Sequence, residues 1–95
     1  MSFRIIYTSG YNRRAARFLK KHPDLSDLSS QYEKTLKLLE VDPFHPSLRL
    51  HRLKGTLSEL HSVSINISYR ITLELTIQEQ MIIPVDVGTH DEVYR

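Results

Sequence analysis

The chain has 95 residues, 40% of them apolar and 25% charged, with a net charge of +2, enough for one small domain. It has no cysteine, which excludes a disulfide framework or a thiolate zinc site and fits a reducing cytosol. No apolar run approaches the roughly 18 residues of a membrane helix, and one arginine before Ile5–Tyr7 makes no signal peptide, so a cytoplasmic protein without a membrane partner is expected.

In chain order, residues 2–8 form a short β-type run containing Phe3, Ile5, Ile6 and Tyr7. Ser9 is placed to cap a helix from about Gly10 to His22, stopped by Pro23. Tyr11, Ala15, Phe18 and Leu19 make its apolar stripe. Ser26 or Asp24 can cap a second helix to about Val41, with Leu25, Leu28, Tyr32, Leu36 and Leu39 on one face and Asp42-Pro43 as its end. The two helices read as a hairpin. From Leu48 the period changes to two, with Arg49, His51 and Lys54 interleaved and Gly55 turning the segment. His61, Val63 and Ile65 then alternate with Ser62, Ser64 and Asn66; Tyr69, Ile71, Leu73 and Leu75 alternate with Arg70, Thr72 and Glu74. A last strand runs from about Met81 to Val87. Clean alternation predicts one buried and one wet face. The expected class is α+β: an N-terminal strand and a helical hairpin packed on one face of a small, mostly antiparallel sheet of four to five strands. Ala15, Phe18, Tyr32, Leu36, Val63, Ile71 and Leu73 are its expected core.

Charge is unevenly spread. Residues 1–22 carry Arg4, Arg13, Arg14, Arg17, Lys20 and Lys21 and no acid; residues 23–42 are mainly acidic; residues 43–55 hold Arg49, Arg52 and Lys54 with His45 and His51. Two basic blocks can form a phosphate-binding surface or simply two solvated faces. On the wet sheet face, Arg70 is a lone cation opposite Ile71, suited either to a substrate or to an ion pair with Glu74 or Asp86. The end of the chain, Gly88-Thr89-His90-Asp91-Glu92-Val93-Tyr94, sets an imidazole, a carboxylate and a phenol just past a strand. That is either site chemistry or a tail whose Tyr94 packs on the sheet edge. His45 and His61 have no partners at metal-ligand spacing, so no metal and no cofactor is expected.

Three stretches together resemble the RelE/ParE superfamily of type II toxins, in its YafQ-like mRNA interferase branch. They are Asp42-Pro43 through His45-Pro46 to Leu53-Lys54-Gly55, then Ser62-Val63-Ser64-Ile65-Asn66 with Tyr69-Arg70-Ile71, and the closing Gly88 to Tyr94. The resemblance covers nearly all of residues 1–95 and implies a single toxin domain, a ribosome-dependent endoribonuclease acting on mRNA, restrained by a cognate antitoxin in a hetero-oligomer. By position it assigns catalysis to His51, Arg70, His90 and Tyr94. Arg49, Arg52, Lys54 and Asp91 are the expected RNA-contacting residues, with Asp91 placed to orient His90. Two departures stand out: relatives often carry tryptophan where this chain has His61, and arginine or histidine where it has Ser64. The alternatives are a ParE-like inhibitor of DNA gyrase without catalysis, and an inactive binding module on the same fold.

Overall fold

The computed structural model describes residues 2–22 and 27–89. Strand β1 (Arg4–Ile5) leads into helix α1 (Ser9–Lys21), then α2 (Leu28–Val41), β2 (His51–Arg52), β3 (His61–Ser64), β4 (Tyr69–Thr76) and β5 (Met81–Thr89). The five strands form one sheet in the order β1-β5-β4-β3-β2. Three pairings are antiparallel and β1 runs parallel to β5, so the expected α+β class and mostly antiparallel sheet are what the chain forms.

Local chemistry departs from expectation at three places. Thr8, not Ser9, caps α1: its Oγ1 accepts the Tyr11 amide at 3.1 Å, because Thr8 has the extended backbone a cap requires. Helix α2 starts after Asp27, which makes no side-chain cap; the expected caps Asp24 and Ser26, like Pro23, lie outside the described residues. The extended segment expected from Leu48 starts inside a 3₁₀ turn, Pro46–Leu48, and Arg49, Leu50, Leu53 and Lys54 join no strand. Pro46 supplies a helical φ at the turn's start, and His45 Nδ1 accepts the Ser47 amide at 3.2 Å. Only His51 and Arg52 remain for strand β2.

The core lies between the helices and one sheet face. Tyr11, Ala15 and Phe18 of α1, and Tyr32 and Leu39 of α2, meet Val63, Ile71, Leu73, Ile82 and Val87 of the sheet. Leu36, expected there, is only partly buried at its edge. Phe18 contacts Tyr69 edge-on with ring centroids 5.1 Å apart, seating the end of α1 on the start of β4.

The helices are joined through a buried hydrogen bond, 2.6 Å between the Tyr11 and Tyr32 hydroxyls. Burial raises the pKa of both phenols. Above pH ~10 the unfolded chain therefore releases protons that the folded chain retains, and stability falls with rising alkali. Tyr11→Phe leaves the Tyr32 hydroxyl buried without this partner. It should cost about 1–3 kcal/mol in urea denaturation, and adding Tyr32→Phe should recover part of that loss.

Strand β5 carries a β-bulge. Thr72 pairs with Asp86 and Leu73 with Pro84, leaving Val85 without a partner in β4. Pro84 cannot donate to a ladder, and an irregularity of this kind is where a central strand accommodates it. The Val85 carbonyl accepts Arg14 Nη2 at 2.8 Å and Nε at 3.2 Å, so a cation of α1 bonds the carbonyl of the extra residue.

Candidate functional site

Register determines which side chains meet. Residues opposite one another in an antiparallel pair project to the same side, and neighbours along a strand alternate. His51 lies opposite Ser62, Ser62 opposite Thr72, and Ser64 opposite Arg70. Ser62, Ser64, His51, Arg70 and Thr72 therefore share the face away from the helices, while Val63 and Ile71 point into the core.

On that face Arg70 Nε donates to Ser62 Oγ at 3.0 Å. Ser62 is fully buried, so its hydroxyl is a fixed point from which the guanidinium is aimed. Arg70 makes this contact rather than the ion pair with Glu74 or Asp86 considered from sequence. Asp86 instead lies 3.9 Å from Arg14 Nε.

His51 Nδ1 lies 3.1 Å from the Arg49 carbonyl and 3.5 Å from Arg70 Nη2. Both cannot bond one nitrogen: a carbonyl requires a proton on Nδ1, whereas a guanidinium requires a lone pair there. The carbonyl contact is the shorter, and the tautomer that satisfies it carries the proton on Nδ1 and the basic lone pair on Nε2. Arg49 turns its carbonyl this way from a left-handed backbone, φ 50° and ψ 46°. For a residue with a Cβ that conformation costs on the order of 1–2 kcal/mol. The exposed Arg49 side chain remains at the mouth of the face.

The His51–Arg70 pair separates two cavities. One of about 310 Å³ is lined by His51, Arg52, Leu53, Lys54 and Leu57. The other, about 260 Å³, adjoins Arg70, Arg49 and Ser64. Arg52 is braced by donating from Nε to the Ser58 carbonyl at 2.6 Å, and Lys54 is exposed. Arg49 thus adjoins Arg70 directly, whereas Arg52, paired with His61, projects to the other side of β2 from His51 and adds its charge with Lys54 around the first cavity. Of the remaining sequence candidates, His90, Asp91 and Tyr94 lie outside the described residues. The last described pairings of β5 set Gly88 opposite Arg70 and Thr89 opposite Tyr69.

His61 stands opposite Arg52 and Leu73. Its Nδ1 is buried and has no hydrogen-bond partner among the described residues. Burial, then the nearby charges of Arg52 and His51, lower its pKa. Below pH ~6.5 the unfolded histidine gains a proton that the folded one resists, so stability falls as pH drops from there through the folded value. The urea midpoint should decline between pH 7 and pH 5, and His61→Gln should flatten that decline. Equal slopes in the two proteins would show that His61 does not carry it.

No protein-family model and no curated protein matches the chain by sequence. Solved structures do match in fold. YafQ from E. coli strain BL21(DE3) superposes with a TM-score of 0.69 at 17% identity, covering 98% of this chain and 99% of that one. The E. coli DinJ–YafQ toxin–antitoxin complex gives 0.75 at 16%, with both chains covered in full. The toxin–antitoxin complex RelBE2 from Mycobacterium tuberculosis gives 0.69 at 17%, covering 95% and 100%. The chain therefore has the RelE/ParE toxin fold, YafQ-like, from end to end.

Proposed function

We propose that this chain is the toxin of a type II toxin–antitoxin pair and a cytoplasmic endoribonuclease that cuts mRNA on the ribosome without a metal. The observation that carries the reading is the His51–Arg70–Ser62 group: an imidazole with Nδ1 fixed on a backbone carbonyl, beside a guanidinium aimed by a buried hydroxyl. Cleavage at a 2′-hydroxyl needs a base, a cation and an acid. His51 Nε2 takes the 2′-hydroxyl proton, and that oxygen forms a bond to the adjoining phosphorus. The bond from phosphorus to the 5′-oxygen breaks, leaving a cyclic phosphate and a 5′-hydroxyl once the acid returns a proton. Arg70, with Arg49, meets the charge that gathers on the phosphoryl oxygens. His90 serves as the acid, oriented by Asp91, and Tyr94 stacks on a base. Arg52 and Lys54 hold the strand through its phosphates.

A toxin–antitoxin pairing is supported by fold likeness to proteins solved as DinJ–YafQ and RelBE2 complexes. The cations around the two cavities suit an acidic antitoxin segment that folds on binding. The deciding experiment is induced expression with and without the antitoxin, scoring growth arrest, then mRNA cleavage and DNA supercoiling. Arrest with cut mRNA supports the reading. Arrest with altered supercoiling and intact mRNA would assign the chain to gyrase inhibition instead, and absence of arrest would make it a binding module.

A further inference from the structure

The cavity beyond Arg70 has a wall that the cleavage chemistry leaves unused. About 260 Å³ in volume, it is lined by Arg49, Arg70, Ser47, Ser64, Asn66 and Ile67 among others. It is smaller than the roughly 300 Å³ at which drug-sized sites begin, and no carboxylate lines it among the described residues. Ile67 at its lip is 100% exposed.

A single exposed isoleucine is ordinary on a protein surface; the turn that carries this one is held firmly. Asn66 Oδ1 accepts the Ser68 and Tyr69 amides at 2.8 and 2.9 Å, and Asn66 Nδ2 donates to Gln31 Oε1 of α2 at 2.9 Å. Both ends of that amide are therefore engaged in framework, and Ile67 is presented on backbone that need not be ordered when something binds. Opposite it, the Ser64 hydroxyl has no hydrogen-bond partner among the described residues and can both donate and accept. Serine at this position also leaves the space open that a longer side chain would fill.

We propose that this cavity is a nucleobase subsite: it takes the base next to the phosphate held at Arg70, with Ile67 against the face of the ring and Ser64 at its edge. The inference rests on the proposed RNA substrate. What favours a base over a peptide side chain is continuity. Arg70 both lines the cavity and bonds Ser62 beside His51, so one strand of nucleotides can occupy cleft and cavity together.

The test uses the full chain and short fluorescent oligoribonucleotides, 2′-O-methylated throughout to prevent cleavage, with the base deleted at one position at a time. Anisotropy should reveal one position where losing the base weakens binding about tenfold, the scale of burying one isoleucine side chain against an apolar face. Ile67→Ser, on the exposed turn, should bring that ratio close to one. Ser64→Leu, which fills the space, should do the same, with circular dichroism confirming the fold of each variant. Equal losses at every position in the wild type, or a tenfold ratio surviving in both variants, would overturn the subsite. So would an acidic peptide whose binding alone responds to Ile67→Ser, since the cavity would then belong to a protein partner. The two proposals fail separately. A base ratio abolished by both variants in a protein that leaves ribosomal mRNA intact upholds the subsite and removes the nuclease. Ribosomal cleavage with a ratio indifferent to both variants does the reverse.

Discussion

Replacing His51 by alanine should lower mRNA cleavage on purified translating ribosomes by about two orders of magnitude or more. A positioned base contributes typically 10²–10⁴-fold, the role proposed for His51, whose Nδ1 lies 3.1 Å from the Arg49 carbonyl. Because His51 is exposed on a two-residue strand, its loss removes little packing, and circular dichroism and antitoxin binding should remain those of the wild type. Arg70→Lys keeps the charge but loses the planar fork that Ser62 aims, so it should fall well below wild type and not recover with higher mRNA concentration. His90→Ala should match His51→Ala if two imidazoles divide the base and acid roles, and Tyr94→Phe should separate stacking, which it keeps, from proton handling. Wild-type rates in His51→Ala would discard the histidine mechanism outright.

Leu73→Ala should cost about 2–5 kcal/mol in urea denaturation, as expected for emptying a core leucine site. Leu73 is fully buried in β4, between His61 on β3 and Pro84 on β5. Two strands and the helical layer close around it, so the cavity has little means of collapsing. Ile67→Ala is the contrasting substitution: a side chain in full contact with water should change stability by under about 0.5 kcal/mol. A loss at Leu73 as small as that at Ile67 would mean that Leu73 had been assigned to the wrong face of β4.

Alternation is what made most of the fold readable. Val63, Ile71 and Leu73 at period two, and Tyr11, Ala15 and Phe18 at helical spacing, all reach the core as expected. The start of the segment from Leu48 misled because Leu48 and Leu50 alternate like a strand while Pro46 and the His45 side chain set a turn that ends at Leu48; short-range hydrogen bonding outweighed the apolar pattern. The site was legible in part. Arg70 reads as a lone cation on a polar face and His51 as a histidine in a basic segment, and only the family resemblance grouped them; residue pattern alone gives no contact between them. Their proximity depends on pairing between β2, β3 and β4, a long-range property. Ser62 was missed as the residue that aims Arg70, although Ser62 and Ser64 flanking Val63 already placed both hydroxyls on the polar face. The left-handed backbone of Arg49 carries no sequence signal, since glycine or asparagine usually marks such a position.

The extra residue in β5 has a consequence for how this chain can change length. Ile82, Pro84 and Val87 are all buried, yet the spacing from Pro84 to Val87 breaks strict alternation, and Val85 absorbs the difference. Removing Val85 alone would restore a regular two-residue rhythm with the same three residues still inward. Removing Asp86 would also restore that count, but would delete the carboxylate beside Arg14. Loss of Val87 would instead turn over Gly88 and Thr89, which follow it in the strand. The last strand is thus a phase-setting segment. Single-codon deletions are tolerable within a window of two residues at the bulge, and beyond it the pairing of Gly88 with Arg70 and of Thr89 with Tyr69 is locked to the count.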